Sequence, residues 1–206
     1  MVSKTNEQAL EASIEKYLTG TCLEEQNVIR DRAAELPFSP HHAYQLSRAQ
    51  DFNARYAIDA RCLWQFLEAS QSDELERLKQ RYEDWDLRIL ERFDRPAKKY
   101  GVLHLLKRGL AIDDVHLNLM YPAPLASSSE RNKRQFAANL FSSTRQVRYS
   151  LSNTLEEIDL VLFINGLPFA TLELKNPWTG QTARYHGQKQ YKQDRDSSHS
   201  RRSSRK

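Results

Sequence analysis

Three charged residues at the ends of two apolar runs have the types and spacing to do chemistry. Asp159 opens the first run, within Glu157-Ile158-Asp159-Leu160-Val161-Leu162-Phe163-Ile164, and Phe169-Ala170-Thr171-Leu172-Glu173-Leu174-Lys175 closes the second on Glu-x-Lys. Two carboxylates brought together repel unless a cation lies between them, and oxygen donors with water in the remaining positions suit Mg²⁺. Such an ion lowers the pKa of a bound water and polarises a phosphate, while an ammonium group offsets charge developing on the phosphate oxygens. The chemistry is then phosphodiester hydrolysis, with Asp159 and Glu173 as metal-binding carboxylates, the Leu174 carbonyl as a third ligand and Lys175 orienting the water. The plain alternative is a solvated strand end, since an Asp at a strand start and Glu-x-Lys at a strand end are common surface features. Charges that end buried strands nevertheless need a reason.

Positioning falls to a hairpin around Asn165-Gly166. Alternation along a strand puts Glu173 and Lys175 on one face. A two-residue Asn165-Gly166 turn with no bulge pairs Ile158 with Glu173 and sends Asp159 to the other face. A three-residue loop over Asn165 to Leu167, or an equivalent bulge, pairs Asp159 with Glu173 and brings their Cβ atoms to about 5 Å. The site requires the second arrangement.

Elsewhere, Thr5-Asn6-Glu7-Gln8 fits a capping box, and Leu10, Ile14, Tyr17 and Leu18 recur at helical spacing. They predict an opening helix over 6–19, ended at Gly20. Residues 21–50 give no clear periodicity beyond a loop at Leu36-Pro37-Phe38-Ser39-Pro40. A helical block over 50–108 follows. One helix spans 51–69 with Phe52, Tyr56, Leu63, Phe66 and Leu67 inward. A second spans 72–93 with Leu75, Leu78, Tyr82, Trp85 and Leu90 inward, and a third spans 95–108 from Pro96 to Gly109. Ala111 to Tyr121 reads as a strand, 131–140 as a short helix, Arg145 to Leu151 as a strand and 180–193 as a last helix. That order gives an α+β fold.

The chain has 206 residues, 39% of them hydrophobic and 28% charged, within the ordinary range for a globular protein. No apolar run is long enough to span a bilayer, and the polar N-terminus has no h-region of a signal peptide. Cys22 and Cys62 make no disulfide framework, so free thiols in the cytoplasm are expected. The net charge of +4 lies entirely after Tyr191, where six Lys/Arg stand against two Asp/Glu. A disordered basic tail over 194–206 is the expectation, so charge alone says little about nucleic acid. The six histidines lack paired Cys/His spacing for zinc, and no Gly-x-x-x-x-Gly-Lys-Ser/Thr phosphate loop provides for ATP.

Asp, a hairpin and Glu-x-Lys resemble the PD-(D/E)xK nuclease superfamily. Arg145-Gln146-Val147-Arg148-Tyr149-Ser150, the stretch Glu157 to Pro168, and Glu173-Leu174-Lys175-Asn176-Pro177-Trp178-Thr179-Gly180-Gln181 resemble the N-terminal domain of type I restriction enzyme R subunits more narrowly. The likeness is strongest over 112–196 and extends more loosely over the opening helix and the helical block. It implies a restriction-endonuclease-like core, a central mixed sheet flanked by helices, with the helical block as an insertion. The core would be 1–20 and 110–193, within a nuclease-like domain of 1–193. It implies Asp159 and Glu173 as metal ligands for Mg²⁺, Lys175 as the motif lysine, and a Glu on the first helix completing the site. Glu11 is the preferred residue, with Glu7 one turn earlier as the alternative. A Gln-x-x-x-Tyr motif for DNA handling is expected on the helix after Glu-x-Lys. Here Gln188-Lys189-Gln190-Tyr191 is one residue short, and Gln181 to Tyr185 has the spacing but lies early. Double-stranded DNA and the methylation and specificity subunits are the implied partners, with no membrane.

The superfamily core ends on a further strand, and residues from Asp194 onward carry no apolar run to build it. A core lacking its last strand, with an exposed edge and weak stability, is the expectation. Two functional readings follow: a Mg²⁺-dependent DNA endonuclease domain, or a catalytically inactive truncated remnant or assembly module. An unrelated helical binding protein would require the Asp159 and Glu173 carboxyls to diverge.

Overall fold

The Asn165-Gly166 turn is enclosed by several other segments of the chain. A computed structural model describes residues 2–30, 44–152 and 156–174. Its helices are α1 (Val2–Thr19), α2 (Leu23–Arg30), α3 (Ala60–Ser70), α4 (Ser72–Arg81), α5 (Trp85–Tyr100), α6 (Val102–Arg108) and α7 (Glu130–Ala137). Its strands are β1 (Gln45–Leu46), β2 (Phe52–Asn53), β3 (Ile58–Asp59), β4 (Leu110–Ile112), β5 (Val115–Leu117), β6 (Phe141–Arg148), β7 (Glu157–Ile164) and β8 (Leu167–Leu172). The fold is α+β. Among the described residues the main sheet runs β1-β6-β7-β8, mixed, with β1 parallel to β6 and the rest antiparallel.

The main core lies under the helical block. Phe66, Leu67, Leu75, Leu78, Ile89, Leu105, Leu117, Leu119 and Leu167 are all but fully buried there, and Val147, Val161 and Phe163 form a smaller cluster. The hairpin turn joins the two halves of the molecule. Asn165, fully buried with φ +52°, accepts from the Leu140 N–H (2.7 Å), and donates to the Leu119 carbonyl (2.9 Å) and to Asn139 Oδ1 (3.0 Å). The Gly166 carbonyl accepts from the Asp59 N–H (2.8 Å). A Cβ at Gly166 would lie 2.3 Å from the Asp59 carbonyl and 2.7 Å from the Leu63 nitrogen, so only glycine fits beneath the start of α3.

Several sequence expectations need correction. The opening helix begins at Val2, which places Thr5 within it rather than at its cap, and its inward face is inverted. Glu11, Glu15 and Thr19 are buried, while Leu10 and Tyr17 are 43% and 83% exposed. The reason is a buried arginine on β6 beneath the helix, described below. Asp51 ends a single 3-10 turn over Ala49–Asp51, and residues 52–59 are not helical. The Asn53 side chain accepts the Arg55 and Tyr56 N–H groups, closing a turn between β2 and β3, and Asp59 caps α3 through the Cys62 N–H (3.0 Å). The expected helices over 72–93 and 95–108 are three. The chain breaks at Tyr82–Asp84 and again at Gly101, whose φ of +83° ends α5. Pro96 sits inside α5 instead of opening a helix, while Gly109 does end α6, at φ +70°. The strand expected over 111–121 is a β4–β5 hairpin turned at Asp113, with φ +52°. The strand expected from Arg145 to Leu151 begins at Phe141 and ends at Arg148. The expected last helix over 180–193 and the tail over 194–206 lie outside the described residues.

Gly166→Ala should cost roughly 3 kcal/mol through strain and backbone collision. Urea unfolding of the variant beside the wild type measures this, and an unchanged midpoint would contradict the role given to the turn.

Candidate active site

The β7–β8 ladder runs to Leu160 and Leu172, one step short of Asp159 and Glu173. Ile164 pairs with Leu167 and Phe163 with Pro168, as a two-residue turn requires. The register then shifts: Leu162 pairs with Ala170, Val161 with Thr171 and Leu160 with Leu172, leaving Phe169 as the extra residue of a β-bulge. One step beyond Leu160 and Leu172 come Asp159 and Glu173, on facing positions. The Leu174 N–H donates to Asp159 Oδ2 (2.5 Å) and fixes that carboxylate at the strand end. The turn is thus the short one, and the bulge puts Asp159 and Glu173 in step with each other by count.

Behind this pair, α1 docks on β6 through charge. Arg145 is 4% exposed. Its Nε donates to Glu11 Oε2 (3.1 Å), its Nη1 to Glu15 Oε2 (3.4 Å) and to both Glu24 oxygens (2.9 Å each), and its Nη2 to the Gln8 carbonyl (3.4 Å). Gln146, the next residue, also donates to Glu11 Oε2 (3.3 Å). Glu15 further accepts the Leu23 N–H (3.0 Å), tying α2 to α1. One guanidinium thus holds three carboxylates.

Burial pushes the Glu11 carboxyl above its ordinary range against the pull of Arg145, and the negative charge of Asp159 pushes the same way. Burial likewise raises Glu15, against the Leu23 N–H and Arg145. Against its own partial burial, hydrogen bonds from its backbone N–H and from Arg145 hold Glu24 below the ordinary range. Burial and the neighbouring Asp59 push the Cys62 thiol up to about 11, which leaves it inert near neutral pH.

Of the residues expected at the site, the structure brings Asp159 and Glu173 to facing positions and buries Glu11 against β6 with its carboxyl under the influence of Asp159. Glu7, the alternative, is half-buried one turn earlier. Lys175 and the four residues Gln181, Tyr185, Gln188 and Tyr191 lie outside the described residues. Asp159 and Glu173 with the Leu174 carbonyl make an all-oxygen donor set, the kind Mg²⁺ takes while keeping several waters. Glu11 has Oε2 committed to Arg145 and Gln146. Among the described residues no group of three His, Cys, Asp or Glu side chains is placed to hold a metal ion. Asp159 and Glu173 alone would leave a hard cation most of its waters. Sequence reasoning missed the roles of Arg145, Gln146, Glu15 and Glu24. The available signal was Glu11 and Glu15 at i, i+4 on one helix face, which asks for a buried cation opposite.

This arrangement, an antiparallel strand pair ending in two carboxylates with an acidic helix packed on the neighbouring strand, belongs to an α+β domain of defined family. The chain is a member of the family of the type I restriction enzyme R protein N terminus, matched over residues 39–204, a stretch that begins after α1. Comparisons with curated proteins and with solved structures gave no match. No helix among the described residues is long and apolar enough to cross a membrane.

The raised Glu11 and Glu15 groups have a consequence for pH. Each binds its proton more tightly folded than unfolded, so the folded state carries the extra proton above the ordinary value of 4.5 and stability falls as pH rises from there. Glu15→Gln cannot titrate at that position. Its stability relative to wild type should therefore climb from pH 4.5 toward neutrality, read from urea midpoints across the series. Parallel curves would contradict the raised value.

Proposed function

We propose that this chain is the DNA endonuclease region of a type I restriction R subunit, cleaving phosphodiester bonds with Mg²⁺ at Asp159, Glu173 and Lys175. The observation that carries the reading is the bulge at Phe169. A two-residue turn alone would send the two carboxylates to opposite faces, and a hairpin with no use for them together gains nothing from the irregularity. Family membership supplies the restriction setting, with double-stranded DNA as substrate and the methylation and specificity subunits as partners.

In this reading Asp159 and Glu173 would hold the cation with their carboxylate oxygens. The Leu174 N–H keeps Asp159 from rotating away, so the donor pair is set before substrate arrives. When bound, Mg²⁺ lowers the pKa of the attacking water and polarises the phosphate. Lys175 lies two residues after Glu173 in the chain. Its ammonium orients the water and offsets charge on the phosphate oxygens in the transition state. Gln181, Tyr185, Gln188 and Tyr191 are the residues proposed to contact DNA.

The test is Mg²⁺-dependent nicking of supercoiled plasmid. Asp159→Ala and Lys175→Ala should each lower the rate about 100-fold or more, the scale of losing one transition-state interaction. A folded wild type that leaves plasmid intact with Mg²⁺ would instead favour an assembly module without activity of its own.

A further inference from the structure

Gln146 holds a conformation that its place in the sheet does not call for. It lies inside β6, yet its φ is +53°, the left-handed region that non-glycine residues rarely adopt. The ladder registers the interruption. Arg145 pairs with Leu160 and Val147 with Ile158, and the ladder passes over Gln146 and Asp159, which lie opposite each other by count. Consecutive side chains of a regular strand point to opposite faces. Here Arg145 and Gln146 both donate to the same atom, Glu11 Oε2, at 3.1 and 3.3 Å. The left-handed residue is what lets two successive side chains converge on one carboxylate oxygen. No hydrogen bond among the described residues uses the other oxygen, Oε1. Strained backbone of this kind persists only where its surroundings impose it, and it concentrates at functional sites.

We propose that Gln146 is a positioning residue. With Arg145 it holds Glu11 by Oε2 and so leaves Oε1 as an acceptor for water around a cation at Asp159 and Glu173. The inference rests on the cation site of the proposed function and deepens it. Outer partners that orient ligand carboxylates commonly contribute 10- to 100-fold to metal affinity. Arg145 is the wrong residue to test, because removing it leaves three carboxylates without their counter-ion. Gln146→Gly keeps the backbone, since glycine takes a positive φ without strain, and removes the amide. Gln146→Asn tolerates the same φ, but its amide is one methylene too short.

The experiment is Mn²⁺ binding to the full chain without DNA, followed by electron paramagnetic resonance of the free ion, in wild type, Asp159→Asn, Gln146→Gly, Gln146→Asn, Glu11→Gln and the Glu11→Gln/Gln146→Gly double variant. Binding should depend on Asp159. Each Gln146 variant should weaken it about tenfold, and in the Glu11→Gln background Gln146→Gly should weaken it no further, because the amide acts through Glu11. Wild-type affinity in both Gln146 variants would overturn the positioning role alone. So would an equal loss with and without the Glu11 carboxylate. Absence of Asp159-dependent binding in wild type would overturn the cation reading itself, and this inference with it.

Discussion

Everything else in the structure is registered against a turn that cannot lengthen. Asn165 and Gly166 are packed between the start of α3, the Leu119 backbone and the residues that follow α7, with nearly every polar group of Asn165 bonded to another segment. A third loop residue would have to displace the Asp59 carbonyl or break the bonds to Leu140. The hairpin is therefore closed by two residues on physical grounds, and its register is fixed before β7 and β8 run outward. The same contacts seat the helical block, because the Asp59 that bonds Gly166 also caps α3, whose Leu63, Phe66 and Leu67 enter the main core.

At the other end of the sheet, charge does what apolar packing does around the turn. Arg145 is buried with two carboxylates that are themselves buried, and only Glu24 reaches solvent. Desolvating such a cluster costs several kcal/mol per ion unless hydrogen bonds return it. Here the guanidinium uses Nε, Nη1 and Nη2, and Glu15 gains the Leu23 N–H besides. At Glu11 and Glu15 burial outweighs these hydrogen bonds and holds both carboxyls above the ordinary range.

The sequence was most legible where local rules decide the outcome. Asn165-Gly166 between apolar runs marks a hairpin, and the facing of Asp159 and Glu173 demands either a longer loop or a bulge. Gly109 ending α6 and the short helix α7 follow from the same kind of signal. Legibility failed where a distant partner decides. Leu10 and Tyr17 have the spacing of an inward face, yet α1 turns them out because Arg145, more than a hundred residues later, waits under Glu11 and Glu15. The helix expected from Asp51 lost to the Asn53 side chain, which closes a turn, and Gly101 cut helices whose apolar spacing runs on without interruption. Gln146 carries no local mark at all, since its left-handed backbone is imposed by a carboxylate on another element.

The bulge reconciles two demands that conflict over the length of one hairpin. From Asn165 to Asp159 is six residues, about 20 Å of extended chain, so the packing of the turn cannot reach the carboxylates directly and can act on them only through register. A buried two-residue turn fixes that register with Asp159 on the wrong face. Moving the correction into the turn would break the bonds that seat α3. Placing it at Phe169 costs only one unpaired residue on β8 and leaves both ends intact. The hairpin can then be rigid at the turn, and the irregularity in each strand, Phe169 in β8 and Gln146 in β6, brings a polar group to the place where regular alternation would have turned it away.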